Sequence, residues 1–284
     1  RVIGQLEEAA KVPPDKSPYA EALTKMKPEW RPKYESRLLA AIRDEVYPAF
    51  ARMHAFLKGD YLSKTRVTNL GLSALPDGAE AYRYRIRQHT TTTLTAEEIH
   101  RIGLEELKSL QEQMRAIAKA RGHIGDLKSF IASLKADPSN YYPTREALLE
   151  DARRILEKCD AKLPGFFGIL PRVRCIVKPI EDYREKDSVA AFYYPPPDDG
   201  SRPGIFYANT YDPTSRPRYN MPALTVHEAV PGHHLQIAIS VEMKSLPAFR
   251  RHGHFTAYVE GWGLYSERLG VEMGLYEDDL ARFG

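Results

Sequence analysis

The chain has 284 residues, of which 43% are hydrophobic and 28% are charged, proportions typical of a folded globular protein. Its 41 Lys and Arg residues against 38 Asp and Glu residues give a formal net charge of +3, too small and too scattered for a nucleic-acid-binding surface. No apolar run reaches the roughly 18 residues of a membrane-spanning helix, so the sequence excludes nucleic-acid binding and a transmembrane segment.

Two features bear on the compartment and on completeness. The cysteines, Cys159 and Cys175, are too few for a disulfide scaffold and lack metal-ligand spacing, so we expect them to be inert or, in an oxidising compartment, to form one bridge. The chain opens at Arg1 without a Met or a signal-like apolar segment, which predicts a processed or excised piece of a longer protein.

The first half of the chain carries helical patterns. Apolar residues recur at helical spacing over residues 28–57, which predicts a long amphipathic helix. Pro48 predicts a bend in it, because proline lacks the N–H that a helix interior uses. The alternation over residues 81–87 is compatible with a strand and with the start of a helix, and the pattern does not decide between them.

A capping box, Thr95 followed by Glu98, predicts a helix running to about Lys119. Two shorter helices are predicted over residues 126–135 and 145–162. We expect the first of these three helices to bury an apolar stripe, made of Ile99, Ile102, Leu107, Leu110, Met114 and Ile117.

Beyond residue 165 the character changes to short runs rich in β-branched and aromatic residues, over residues 173–177, 190–194 and 204–209. They predict a small antiparallel sheet, with the prolines at 195–197 placing that end of the second strand at an edge. The predicted fold is therefore mainly α, with a small antiparallel sheet beside the helix that carries residues 225–236. Residues 1–165 are expected to form a helical lobe, and residues 166–284 to hold the sheet and the helices that follow it, as parts of one domain.

Three histidines and a glutamate lie close together in residues 225–236. A His-Glu pair followed by another His on the same helical segment is how zinc peptidases place two nitrogen ligands and a general base around one metal ion. The usual spacing puts the second His four positions after the first. Here Pro231 and Gly232 intervene, so that His233 and His234 both compete for the second ligand position.

Helix geometry indicates which of His233 and His234 is the second ligand. With a turn of about 100° and a rise of about 1.5 Å per residue, a straight helix would point His233 about 120° away from His227 and place His234 about 10 Å along the axis. Pro231 must therefore bulge or kink the helix, and Gly232 tolerates the bulge. We predict His227 and His233 as zinc ligands and Glu228 as the general base, with His234 in a supporting or substrate-facing position.

Catalytic zinc normally has three protein ligands. A helix predicted over residues 255–270 offers Glu260, favoured as the third ligand because Gly261 and Gly263 allow close approach, and Glu267, which could orient a liganding imidazole. Further residues could line the substrate site: Tyr207, Asn209, His254, Tyr258 and Tyr265. The first two are included because an edge strand can bind a peptide backbone. His54, His89, His100 and His123 are interpreted as structural or solvated.

The strings HEAVPGHHLQ at 227–236 and EGWGLYSE at 260–267 resemble a large bacterial family of candidate metallopeptidases, catalogued as a domain of unknown function, with many members described as lipoproteins. Residues 95–103 and 206–209 also resemble it. The family is distantly similar to Taq-type carboxypeptidases and angiotensin-converting-enzyme-like helical peptidases. The resemblance implies that His227, His233 and Glu260 are zinc ligands, that Glu228 is the base, and that the protein lies in the bacterial periplasm or cell envelope.

Members of that family extend beyond both ends of this chain, which implies that a further helical segment or a second polypeptide completes the site, including its oxyanion-stabilising group. The predicted function is hydrolysis of short peptides, with one zinc ion per chain and Glu228 as base. Two alternatives stay open: an inactive zinc- or peptide-binding envelope protein, and a zinc hydrolase of another amide.

Overall fold

The computed structural model describes residues 1–284, and its packing separates two units, Arg1–Gly78 and Ala79–Gly284. The division falls at the start of a helix in the first half of the chain. The boundary predicted at residue 165 separates segments by type of secondary structure, and it stays a prediction.

The first unit contains helices and no strand. Its helices are α1 (Val2–Lys11), α2 (Ala22–Lys25), α3 (Arg31–Ala41), α4 (Tyr47–Phe56) and α5 (Leu62–Lys64). Two π-helical segments, Ile42–Val46 and Leu57–Tyr61, connect the last three, so the predicted helix continues to Lys64. The first π segment ends directly before α4, and Pro48 is the second residue of α4, where a missing N–H is tolerated.

The second unit begins with four helices: α6 (Gly78–Thr90), α7 (Ala96–Ala120), α8 (Leu127–Ala136) and α9 (Arg145–Lys162). The undecided segment 81–87 is therefore helical. The capping box is present, because the Thr95 hydroxyl accepts the Glu98 N–H at 3.2 Å and the Glu98 carboxylate accepts the Thr95 N–H at 2.8 Å. The three predicted helices of this region are confirmed.

The apolar stripe of α7 is not buried as predicted. The side chains of Ile102, Leu107 and Leu110 are 44%, 50% and 53% exposed, and Ala118 is the one buried residue of the helix. An amphipathic pattern specifies which face of a helix is apolar but not which element covers it. Among the described residues, α7 packs on α8 and on the last helix of the chain, around Ala118.

A three-stranded mixed sheet follows. Its strands are β1 (Cys175–Pro179), β2 (Ala191–Tyr194) and β3 (Gly204–Ala208), in the order β1-β3-β2. β2 pairs with β3 antiparallel, whereas β1 pairs with β3 parallel, with Cys175 opposite Gly204. The all-antiparallel prediction was therefore wrong. β2 and the short helix α10 (Asp182–Glu185) lie in the crossover that a parallel pair requires. The edge position of β2, ahead of prolines 195–197, is confirmed.

The chain returns to helix with α11 (Met221–Glu228), α12 (His233–Glu242), α13 (Ala248–Arg251), α14 (Thr256–Glu272) and α15 (Asp279–Phe283). The mainly helical fold with a small sheet is thus confirmed. None of these or the preceding helices combines the length and the apolar character needed to cross a membrane.

The main core joins α9, the sheet, α11 and the start of α12. Tyr142, Phe206 and Val226 are fully buried in it. Cys159 and Cys175 lie in the same core as free thiols, and burial raises the pKa of each to about 12. At neutral pH both are therefore protonated and chemically inert. The helix α11 packs against both α9 and α14.

Candidate metal centre

The helix carrying His227 is interrupted rather than bulged. α11 ends at Glu228 and α12 begins at His233, so residues 229–232 form a connection between two helices. Pro231 cannot donate a helical hydrogen bond. A Cβ atom on Gly232 would collide with the carbonyl oxygens of His227 and Val226, so that only glycine fits there. The break turns α12 and brings His233 back towards His227.

α14 holds this break in place. The indole Nε1–H of Trp262 donates to the carbonyl oxygen of Pro231 at 2.8 Å, and the Ser266 hydroxyl donates to the same oxygen at 3.4 Å. Gly263 lies between them against the His227 ring, where a Cβ atom would approach Cε1 to 2.6 Å. The close approach of α14 to α11 places Glu260 and Glu267 beside the histidines.

Three side chains converge at this point. Nε2 of His227 lies 3.5 Å and Nε2 of His233 lies 3.8 Å from Oε2 of Glu260, and one ligand atom from each residue lies within 4.8 Å of the others. Two ligands of a tetrahedral zinc ion at bond lengths of about 2.0–2.1 Å would be about 3.3 Å apart. The residues therefore fit a zinc ion with small adjustments, and the two imidazoles and one carboxylate are the donor types that zinc prefers.

Glu267 orients His227. Its Oε1 atom lies 2.6 Å from Nδ1 of His227, which places the proton on Nδ1 and leaves the Nε2 lone pair facing Glu260 and His233. This hydrogen bond is the largest cause of the raised pKa of His227. Burial, together with the nearby His227, lowers the pKa of His233, whose buried Nδ1 atom has no hydrogen-bond partner.

Glu228 follows His227 directly and faces a cavity of about 490 Å³. Burial raises the pKa of its carboxyl to about 7, the His227 imidazole opposes this rise, and the Glu260 carboxylate adds to it. A carboxyl with a pKa near neutrality can both accept and return a proton. The cavity is lined by Leu148, Ala190, Ala208, Asn209, Ser215, Arg216, Pro217, Asn220, Met221, Ala223, Leu224, His227, Glu228, Glu267 and Gly284.

His234 points away from the three converging groups and towards the sheet. Its Nε2–H donates to the carbonyl oxygen of Val173 at 2.8 Å, and its Nδ1 accepts the Tyr193 hydroxyl at 3.0 Å. A Cβ atom on Gly204 would collide with this ring. Burial lowers the pKa of His234 to about 4, so the ring is neutral at physiological pH and serves as a brace between α12 and the sheet.

The other predicted substrate-lining residues are placed differently from one another. Tyr207 lies in β3, and its ring stacks on that of Phe192 in β2. Because β3 is the central strand, the edge-strand argument for Tyr207 was wrong, and its place at a substrate site stays a prediction. The Asn209 amide donates to three backbone carbonyls and is buried at the cavity wall. Tyr258 and Tyr265 are exposed on α14, and His254 lies near enough to His233 to lower the pKa of that ring.

Two residues of the site region received no role from the sequence. Trp262 lies within the 260–267 string, yet only the structure shows that its indole holds the helix break. Arg216 lies in an irregular loop and lines the cavity that Glu228 faces. No periodicity or motif marks it, so the sequence offers no signal for its position.

The two glycines of α14 allow a matched test of this packing. Gly263→Ala is expected to lower the free energy of unfolding by about 1–3 kcal/mol and to weaken zinc binding, because its Cβ would displace the His227 ring. Gly261→Ala, where the space is open, is expected to be neutral or stabilising by up to about 1 kcal/mol. Denaturant titration and zinc titration of both variants check this, and equal effects would contradict the packing argument.

Known proteins provide a comparison for this geometry. The chain matches a crystal structure of a candidate lipoprotein from Colwellia psychrerythraea with a TM-score of 0.91 and 30% sequence identity, over 99% of this chain and 50% of that one. The chain therefore spans about half the length of that protein. A comparison with curated proteins found no match for this chain. The DUF885 family, described as bacterial protein of unknown function, matches over residues 1–284, and the chain accordingly belongs to this family.

Proposed function

We propose that this protein is a zinc-dependent hydrolase of peptide bonds in short peptides. The observation that carries the proposal is the convergence of His227, His233 and Glu260 within 4.8 Å, directly beside a half-buried Glu228 that lines a cavity. Two imidazoles and a carboxylate are a zinc-ligand set that leaves a coordination position for water or substrate. A helical carboxylate next to a ligand is suited to move a proton there.

Each residue has a defined part in this proposal. His227, His233 and Glu260 would hold the metal, and Glu267 would keep the His227 ring in the required tautomer. A zinc ion, when bound, supplies a Lewis acid that polarises a carbonyl and acidifies water. Glu228 accepts a proton from the attacking water and delivers it to the leaving amine. Burial of this carboxyl favours its neutral form and therefore assists the acceptance of a proton from water.

The cavity favours small substrates. Its volume of about 490 Å³ lies in the range of small-molecule and peptide pockets, and its wall combines apolar side chains with a few polar groups. A folded protein would have to insert an extended segment to reach Glu228. The similarity to the candidate lipoprotein leads us to propose a location at the bacterial cell envelope.

Metal analysis and a peptide-library assay test the proposal together. The protein treated with a chelator and then supplied with zinc is expected to bind about one ion per chain and to cleave short peptides, whereas the chelated protein does not. One zinc per chain without cleavage of any peptide would make the protein a metal-binding protein without this activity. Failure to bind zinc at all would remove the basis of the proposal.

A further inference from the structure

Arg216 is the cationic group of the cavity that has no partner. Its Nε atom is buried and makes no hydrogen bond. Neither Glu228 nor Glu267 pairs with its guanidinium, although all three residues line the same cavity. Nearby Arg218 differs, because its Nε–H donates to the Tyr141 carbonyl at 2.9 Å and its guanidinium lies 4.5 Å from the centre of the Tyr142 ring.

The backbone on both sides of Arg216 is ordered by hydrogen bonds. The Arg216 N–H donates to the Pro213 carbonyl at 3.1 Å and closes a 3₁₀ turn over Pro213–Ser215. The next residue, Pro217, forms a β-bridge with Tyr141. The backbone that carries the Arg216 guanidinium is therefore held by hydrogen bonds. A preorganised donor loses less conformational entropy on binding a ligand than a mobile donor does.

A buried donor without a partner costs free energy that a bound acceptor can recover. The planar guanidinium matches a carboxylate in charge and in the spacing of its donors. The cavity lining also includes the apolar side chains of Leu148, Met221 and Leu224. Arg216 is the only Lys or Arg among the lining residues, so it is the position in the cavity that most favours a carboxylate.

We propose that Arg216 binds a carboxylate of the substrate, and so selects peptides that carry a free carboxylate close to the bond that is hydrolysed. This inference rests on the proposed peptidase function. The carboxylate can be the C-terminus of the peptide or an Asp or Glu side chain, because both present the same two oxygens to the guanidinium. In this arrangement Arg216 is a specificity-determining residue, and Glu228, which lines the same cavity, moves the proton.

Matched peptides separate the two sources of the carboxylate. The two peptides of the first pair have the same sequence, but one has a free C-terminal carboxylate and the other an amidated C-terminus. The two peptides of the second pair both have an amidated C-terminus, and one carries Asp where the other carries Asn. The value of kcat/KM is measured for each pair with the wild type, Arg216→Gln, Arg216→Lys and the control Arg153→Gln, an exposed residue of α9. Calorimetry on the zinc-loaded Glu228→Gln protein, with and without Arg216→Gln, measures binding without turnover.

The wild type is expected to prefer one acidic peptide over its neutral partner by about 10- to 100-fold, the effect of a charge-assisted hydrogen bond. Arg216→Gln should abolish this preference for the acidic peptide, Arg216→Lys should retain part of it, and Arg153→Gln should leave it unchanged. The pair that shows the preference identifies the source of the carboxylate.

The outcomes also separate this inference from the proposed function. Cleavage without preference for either acidic peptide, or a preference that survives Arg216→Gln, would overturn the role of Arg216 and leave the peptidase function standing. If no peptide is cleaved but calorimetry shows an acidic preference that Arg216→Gln removes, the carboxylate site is supported and the peptidase function fails. Equal binding of acidic and neutral peptides in calorimetry would overturn the site.

Discussion

Replacing Glu228 with Gln is expected to lower kcat/KM for peptide hydrolysis by about 10²- to 10⁴-fold, the usual contribution of a general base. Glutamine has nearly the same shape as glutamate but cannot accept a proton from water. Glu228 is not one of the three converging ligand groups, so the variant should still bind about one zinc ion per chain. Steady-state kinetics and metal analysis of the same preparation measure both quantities.

A carboxylate elsewhere on the site-bearing helices provides the control. Glu272 is exposed near the end of α14 and does not line the cavity, so Glu272→Gln should keep wild-type kinetics. Cleavage that persists at the wild-type rate in Glu228→Gln would show that another group moves the proton. Loss of zinc together with activity would instead show that Glu228 takes part in metal binding.

The substitutions His233→Asn and His234→Asn are expected to affect different properties: the first should weaken zinc binding, and the second should lower stability. His233→Asn removes a ligand nitrogen and should weaken zinc binding by more than about 100-fold, beyond the effect typical of an outer partner. His234→Asn should leave zinc affinity within a few-fold of the wild type. It should lower the free energy of unfolding by about 1–3 kcal/mol, because the Val173 carbonyl and the Tyr193 hydroxyl lose a buried partner.

Zinc titration and denaturant unfolding of the two variants give this comparison directly. Each variant serves as the control of the other, because both residues are buried neighbours at the start of α12. The assignment would be reversed if His234→Asn lost zinc while keeping wild-type stability. Equal loss of zinc affinity in both variants would indicate that the break between α11 and α12, rather than one imidazole, had been disturbed.

Local signals made part of the fold predictable. The capping box at Thr95 and Glu98 predicted where α7 begins, because a capping interaction depends only on residues three positions apart. The direction of β1 was not predictable in this way. Strand alternation reports which side chains share a face, whereas the parallel pairing of β1 with β3 depends on how the chain crosses over between them.

The candidate site was likewise predictable only in part. The spacing of His227, Pro231 and His233 predicted that the helix could not be straight, and the structure places His227 and His233 together with Glu260. The full break at residues 229–232 was not predicted, because the sequence pattern shows neither how α14 approaches nor that Trp262 bonds to the Pro231 carbonyl. Arg216 could not be found because its significance lies in the cavity it lines.

The Pro231 carbonyl joins the elements that carry the candidate ligands. It accepts hydrogen bonds from Trp262 and Ser266, while Glu267 holds His227, so α11, the break and α14 are joined by bonds that use none of the ligand atoms facing one another. Contacts of the fold therefore set the relative positions of His227, His233 and Glu260. If the proposed zinc ion binds there, it would enter a preorganised site, unlike the metal-driven folding of a zinc finger.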